Sequence, residues 1–188
     1  MKKIKCSSKY TPIVQKPYGC VIACLQMVLF RRGLKLISQD KIGFELGLIV
    51  PKEFKKILPF ARTGKKPLAG WGTQVQKEKY SINRFFKKYN LPLKEEYFHV
   101  SKIKNVKNWL REQLEQDRDV IVCFKYGKLY NCKGQGHVSV IDSIKGKKVI
   151  LIDPGRNVPK YRKVELDKLI NAANFHGKEC RGGFWVIG

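Results

Sequence analysis

One helical segment, residues 20–32, constrains the fold of this chain more than any other feature. Apolar side chains cover most of its surface, so the helix has to be buried on nearly all sides. The turn sequence Pro-Tyr-Gly at 17–19 precedes the helix, and Gly33 ends it. Cys20 therefore lies on the first helical turn, where unpaired N–H groups and the helix dipole stabilise anions. A thiol there is favoured as a thiolate, which makes Cys20 a candidate nucleophile.

A second segment, residues 134–154, predicts a β-hairpin with a histidine near its start and an aspartate near its end. Two runs rich in β-branched residues flank a Lys-Gly-Lys turn. If the turn is centred near Lys145, His137 lies directly opposite Asp153 on the same face, with Cβ atoms roughly 4.5–5.5 Å apart. The carboxylate can then hold one imidazole nitrogen and leave the other to take a proton from Cys20.

Other side chains could fill the same roles. Asp142 could replace Asp153, but its parity in the strand predicts that it faces away from His137. His99 and His176 could act as the base, but no hairpin brings a carboxylate back to either, and we interpret both as surface residues. His137 as a core histidine, and Asp153 as a turn carboxylate, remain open alternatives.

The order of these motifs resembles the papain-like cysteine peptidases, and among them the bacteriocin-processing (double-glycine leader) peptidase domains and their stand-alone relatives. Those domains have a Gln before the Cys, an Ala-Cys-Leu and a Met on the helix, a Gly-His that opens a strand and an Asp-Pro that closes the next one. The matching residues here are Gln15, Cys20, Ala23-Cys24-Leu25, Met27, Gly136-His137 and Asp153-Pro154.

The resemblance implies a fold and a set of roles. The implied fold is α+β, the papain-like cysteine protease fold, as a single domain. An N-terminal helical half (about 1–92) would pack on a C-terminal antiparallel sheet (about 93–188). The implied roles are Cys20 as nucleophile, His137 as general base and acid, Asp153 as the residue that orients the histidine, and Gln15 as an oxyanion donor.

The order of predicted elements favours the α+β class independently, because helices come first and antiparallel strands follow. A glycine-rich loop at 61–79 holds Trp71, which either overhangs the cleft as a substrate-binding lid or packs as an ordinary loop residue. Gly136 permits close backbone approach and is a second candidate for substrate binding. Further helices are predicted at 38–47, 51–58, 81–90, 104–116 and 165–174, and further strands at 93–100, 119–125 and 183–187.

Composition excludes some classes of function and leaves others open. The net charge of +24 would attract nucleic acid or an anionic surface, but the lysines are dispersed and no recognition motif accompanies them. The six cysteines include no CxxC pair, so no metal site is expected, and no cofactor is implied. A disulfide scaffold is not expected either, because the chain is large and apolar enough not to need one. No secretory signal or membrane-spanning run is present, so we expect a cytoplasmic protein.

These features together predict a thiol hydrolase, in the simplest case a cysteine peptidase acting on a peptide or protein substrate. The same three residues would also serve an acyltransferase, a transglutaminase-like enzyme or a deamidating enzyme, because the cleft selects the acceptor. A basic binding module with an inert triad is a third interpretation.

Overall fold

A seven-stranded antiparallel sheet lies at the centre of the structure, a computed structural model that describes residues 3–188. Its strands are β1 (Ile4–Lys5), β4 (Glu95–Phe98), β5 (Asp119–Lys125), β6 (Gly136–Lys145), β7 (Lys148–Ile152), β8 (Tyr161–Glu165) and β9 (Gly183–Ile187). Two short strands, β2 (Ile49–Val50) and β3 (Arg62–Thr63), form a separate parallel pair. The helices are α1 (Cys20–Arg31), α2 (Gln39–Glu45), α3 (Ile82–Lys88), α4 (Val106–Glu115), α5 (Tyr126–Tyr130) and α6 (Leu166–His176).

The strands of the large sheet are ordered β4-β9-β5-β6-β7-β8, and β1 pairs with the end of β6. Every neighbouring pair in this sheet is antiparallel. Three helices, α1 to α3, precede β4 in the chain. The predicted α+β class, with a helical N-terminal part and an antiparallel C-terminal sheet, is therefore confirmed.

Successive residues of β5 point to opposite faces of the sheet and enter two different apolar clusters. Ile121 and Cys123 pack with α1, α2 and α3 on one face. Val120 and Val122 pack with α4 and α6 on the other face. The sheet is thus covered by helices on both sides, and α1 is buried from Val21 through Leu29, as its apolar surface requires.

Local sequence signals placed most of the elements. Ser38 and Ser81 cap α2 and α3, since their side chains accept hydrogen bonds from the backbone N–H groups three residues further on, those of Lys41 and Arg84. The helix predicted at 51–58 is only a short 3₁₀ turn, Lys52–Phe54. The elements β1, β2, β3, α5 and β8 have no counterpart in the prediction, and β3 lies within the segment 61–79 that was predicted to be a loop.

A buried charge network fixes the C-terminal end of α1 to the sheet. The Asp119 side chain is inaccessible to solvent and accepts hydrogen bonds from Arg31 Nη1 at 2.8 Å and from the Tyr10 hydroxyl at 2.5 Å. Arg32 forms a further ion pair with the same carboxylate, and Arg31 also pairs with Asp117. These contacts set the position of α1, and with it the position of Cys20.

None of the lysine side chains within residues 3–188 is buried. In the same part of the chain, no helix is long and apolar enough to cross a membrane.

Candidate active site

A tight turn presents Cys20 at the start of α1. The N–H of Gly19 donates to the carbonyl of Lys16 at 2.9 Å, which closes a β-turn with Pro17 and Tyr18 at its centre. Tyr18 has a φ of 61°, in the left-handed region that favours glycine. Its ring packs edge-on against Phe54 at 5.1 Å, a contact that helps to hold this conformation. The predicted turn and the predicted start of the helix are both confirmed.

His137 lies near the start of β6, between two aromatic rings. The rings of Phe124 and Tyr126 meet the imidazole edge to face, at 5.7 and 5.2 Å between centroids. Nε2 of His137 donates to Oδ1 of Asp153 at 2.8 Å. The other ring nitrogen, Nδ1, is therefore left for Cys20, which also lines the cleft beside His137.

The hairpin that joins these residues is not paired as predicted. The strands β6 and β7 are connected by two residues, Gly146 and Lys147, and Lys145 is the last residue of β6. Gly146 has a φ of 64°, as the first central residue of a type II′ turn requires. The expectation that the turn is centred near Lys145 is therefore wrong.

A β-bulge at Asp142 then shifts the register by one residue. Beyond the bulge, Val140 pairs with Ile152. The turn alone would place His137 and Asp153 on opposite faces, and the one-residue shift returns them to the same face. The position directly across from His137 is therefore residue 155, and Asp153 lies two residues before it. Asp153 is a diagonal neighbour of His137, so the prediction that the two residues pair directly is wrong.

Asp142 itself faces away from the site. One of its carboxylate oxygens lies 3.5 Å from Lys3 Nζ and accepts from the Ser143 hydroxyl at 2.8 Å. The prediction that Asp142 and His137 point to opposite faces is confirmed.

Asp153 is completely buried, and each of its oxygens has a partner. Oδ1 accepts from His137 and from the backbone N–H of Gly155, the latter at 2.9 Å. Oδ2 lies 3.4 Å from Nη1 of Arg162. Burial alone would raise the pKa of Asp153, but these donors outweigh burial and lower the pKa below its usual range.

The contact with Asp153 raises the pKa of His137, whereas it lowers the pKa of Asp153. Burial alone would lower the pKa of His137, since it disfavours the imidazolium. Hydrogen bonds to Asp153 and to Cys20, together with their negative charges, outweigh burial and raise the pKa to about 9. An imidazolium that persists at neutral pH can stabilise a thiolate beside it.

The cleft in front of Cys20 and His137 is narrow, with about 50 Å³ of free volume. Its lining includes the loop 69–73, which carries Trp71, and Gly136 at the start of β6. The structure therefore brings Cys20, His137, Trp71 and Gly136 to one cleft.

The loop that carries Trp71 is fixed at its C-terminal side. The N–H and carbonyl of Gly72 both bond to the backbone of Ile49, at 3.0 Å each. Gly70 and Gly72 have φ values of 95° and 137°, which residues with a side chain rarely adopt. Trp71 is thus held over the cleft as a half-buried wall residue.

His176 was interpreted as a surface residue, and this interpretation is wrong. It is the last residue of α6 and lines the cleft, with its ring against the backbone of Gly136. A Cβ atom at Gly136 would lie only 2.5 Å from Cε1 of His176. Burial, and then the charge of Lys125, lower the pKa of His176. No local pattern indicates this placement, since the end of α6 reaches Gly136 only in the folded chain.

The remaining candidates lie outside the cleft. His99 bonds to Ser101 at 2.7 Å and caps a 3₁₀ turn. The backbone N–H of Gln15 donates to the carbonyl of Pro154 at 2.9 Å, so Gln15 lies beside the segment that carries Asp153. Its Oε1 is buried, with no hydrogen-bond partner among residues 3–188. Cys24 is fully buried one turn below Cys20, as predicted.

The family model of the Peptidase C39-like family matches residues 7–177. The chain belongs to the C39-like peptidase family. The family assignment confirms the resemblance to the bacteriocin-processing peptidases that the motifs indicated, and family and fold are those of cysteine peptidases. A search of curated proteins finds no significant match to this C39-like chain.

Solved structures share the fold of this C39-like protein at low identity. A candidate C39-like peptidase from Bacillus anthracis is 15% identical, with a TM-score of 0.65 over 100% of this chain and 98% of the other. Xylellain, a cysteine protease from Xylella fastidiosa, is 12% identical, with a TM-score of 0.51 over 98% and 85%. A double-glycine motif protease of an AMS/PCAT transporter, solved with its leader peptide, is 13% identical, with a TM-score of 0.47 over 99% and 96%. The first two of these matches confirm the predicted papain-like α+β fold.

Proposed function

We propose that this protein is a cysteine peptidase in which Cys20, His137 and Asp153 form the catalytic triad. One observation carries the proposal: His137 bonds to buried Asp153 through Nε2 and turns its other nitrogen toward Cys20. This arrangement gives a thiol at a helix N-terminus a base whose orientation is fixed.

In the proposed reaction, His137 takes the proton of Cys20, and the thiolate attacks the carbonyl carbon of a peptide bond. The resulting imidazolium then protonates the leaving amine, which leaves a thioester on Cys20. His137 next removes a proton from water, which attacks the thioester and releases the carboxylic acid. Asp153 holds the imidazole in one tautomer and stabilises its charge throughout.

The oxyanion that forms during each attack needs hydrogen-bond donors. The N–H of Cys20, on the first turn of α1, is one candidate because such N–H groups have no partner within the helix. The side-chain amide of Gln15 is the second candidate. One observation supports it: the hydrogen bond from the backbone N–H of Gln15 to the carbonyl of Pro154 places this residue beside the segment that carries Asp153.

The shape of the cleft favours an extended polypeptide as the substrate. Its free volume of about 50 Å³ is far below the roughly 300–1,000 Å³ of a typical pocket for a compact small molecule. An extended chain could instead lie across the cleft, between Trp71 on the loop and the half-buried start of β6. We therefore assign Trp71 and Gly136 to substrate binding, with Gly136 offering its backbone at close range.

Site-resolved alkylation tests the proposal. Iodoacetamide should label Cys20 faster than the exposed Cys132, and His137→Ala should abolish this difference while Cys132 still reacts at its original rate. Cys20→Ala should remove both the fast label and the cleavage of a peptide library, whereas Cys24→Ala, at a buried thiol, should keep both. Equal reactivity of Cys20 and Cys132 in the wild-type protein would contradict the proposal and favour a binding module with an inert triad.

A further inference from the structure

Asp153 has a second cationic neighbour besides His137. Arg162 extends from β8 and places Nη1 3.4 Å from Oδ2, the carboxylate oxygen that does not bond to His137. The Arg162 side chain is itself largely buried, with 19% exposure. A cation therefore lies behind the carboxylate, on the side opposite the imidazole.

Two tyrosines hold the Arg162 side chain in this place. The guanidinium carbon lies 3.4 Å from the centre of the Tyr130 ring, and Nη1 donates to the Tyr126 hydroxyl at 2.7 Å. The Tyr126 ring in turn packs edge to face against His137. Arg162 thus contacts both Asp153 and Tyr126, two of the groups that touch the imidazole.

The separation of 3.4 Å indicates what kind of contact this is. It is long for a charge-assisted hydrogen bond, so the main effect on Asp153 is the charge of the guanidinium. Asp153 has no solvent exposure, and a buried carboxylate without a cation tends to take up a proton. A protonated Asp153 could no longer stabilise the imidazolium of His137.

We propose that Arg162 is a positioning residue of the site, which keeps Asp153 ionised so that the carboxylate holds His137. The inference rests on the proposed function of Cys20 and His137. Arg162 acts through the groups that hold His137 and not on the substrate, since it does not line the cleft. A purely structural role would instead consist of packing α5 onto β8.

The pH dependence of Cys20 alkylation distinguishes these two roles. Arg162→Gln removes the charge but keeps a side chain that can bond to Tyr126. In this variant Asp153 should protonate more readily. The acid limb of the profile, the pH range in which the rate of Cys20 alkylation falls on acidification, should therefore shift to higher pH by about one unit. Arg162→Lys keeps the charge and should keep the wild-type limb. Lys163→Gln, at the next and exposed position of β8, is the matched control and should also leave the limb unchanged.

The outcomes are separable. A folded Arg162→Gln variant with the wild-type acid limb would overturn the inference, whatever its absolute rate. Circular dichroism would reveal whether Arg162→Gln folds. If it does not, the Arg162→Lys variant alone tests the inference, and a shift of its acid limb to higher pH would overturn it. A wild-type Cys20 no more reactive than Cys132 would instead overturn the proposed function, and the inference with it.

Discussion

Nε2 of His137 donates a hydrogen bond of 2.8 Å to Oδ1 of Asp153, a carboxylate with no exposure to solvent. The bond sets the tautomer of the imidazole and leaves Nδ1 for the proton of Cys20. It also helps to raise the pKa of His137 to about 9, so that the imidazolium exists at neutral pH. The chemistry proposed for the cleft depends on this one contact.

Replacing the carboxylate should therefore change both rate and pH dependence. Asp153→Asn removes the negative charge that stabilises the imidazolium, so the pKa of His137 should fall from about 9 toward its ordinary value. The alkaline limb of Cys20 alkylation should move to lower pH, and peptide hydrolysis should slow by about 10²-fold or more.

Asp142→Asn is the matched control for this variant, because Asp142 lies on the same hairpin but contacts Lys3 and Ser143. Its alkylation profile should equal that of the wild type. Identical profiles for Asp153→Asn and Asp142→Asn would mean that Asp153 does not orient His137.

The hairpin also illustrates how far sequence reasoning reaches. The β-branched runs correctly indicated two strands, and the parity argument placed Asp142 away from His137. The turn type and the bulge could not be predicted, because a bulge depends on how β6 pairs with both β1 and β7. The two errors cancelled. The actual turn alone would place His137 and Asp153 on opposite faces of the sheet, and the bulge returns them to the same face.

Other parts of the site depend on contacts between elements that are distant in the chain. Arg162 reaches Asp153 because β8 pairs with β7, and β8 lacks the strong apolar alternation that predicts a strand. His176 reaches Gly136 because the end of α6 packs near the start of β6. In contrast, α1 and Cys20 follow from a local turn and an apolar run, which explains why they were predicted accurately.

Gln15 offers a test of the oxyanion assignment. Gln15→Ala should lower kcat for peptide hydrolysis by about 10²–10³-fold, the typical cost of losing one oxyanion donor. The rate of Cys20 alkylation should stay within about twofold of wild type, since alkylation passes through no tetrahedral oxyanion. If both rates fell by the same factor, Gln15 would instead hold the turn that presents Cys20.

The contact between Gly136 and His176 predicts a compensating pair of substitutions. Gly136→Ala would place a methyl group 2.5 Å from Cε1 of His176 and should lower the free energy of unfolding by about 1–3 kcal/mol. Adding His176→Ala should restore most of the loss in urea unfolding. Gly64→Ala, whose methyl would meet only Ile49 at 3.5 Å, should leave stability nearly unchanged. Strictly additive effects of the first two substitutions would show that the ring does not occupy this space.

The charge network at the end of α1 should contribute mainly to stability. Asp119→Asn leaves Arg31, whose side chain is 1% exposed, without its buried counter-charge, and should cost about 3–5 kcal/mol of unfolding free energy. Asp117→Asn removes a carboxylate that is 48% exposed on the same arginine and should cost less than about 1 kcal/mol. Urea unfolding of both variants gives the comparison. Because this network also sets the position of α1, Asp119→Asn should slow Cys20 alkylation as well, whereas equal stability of the two variants would show that the buried pair adds nothing to the fold.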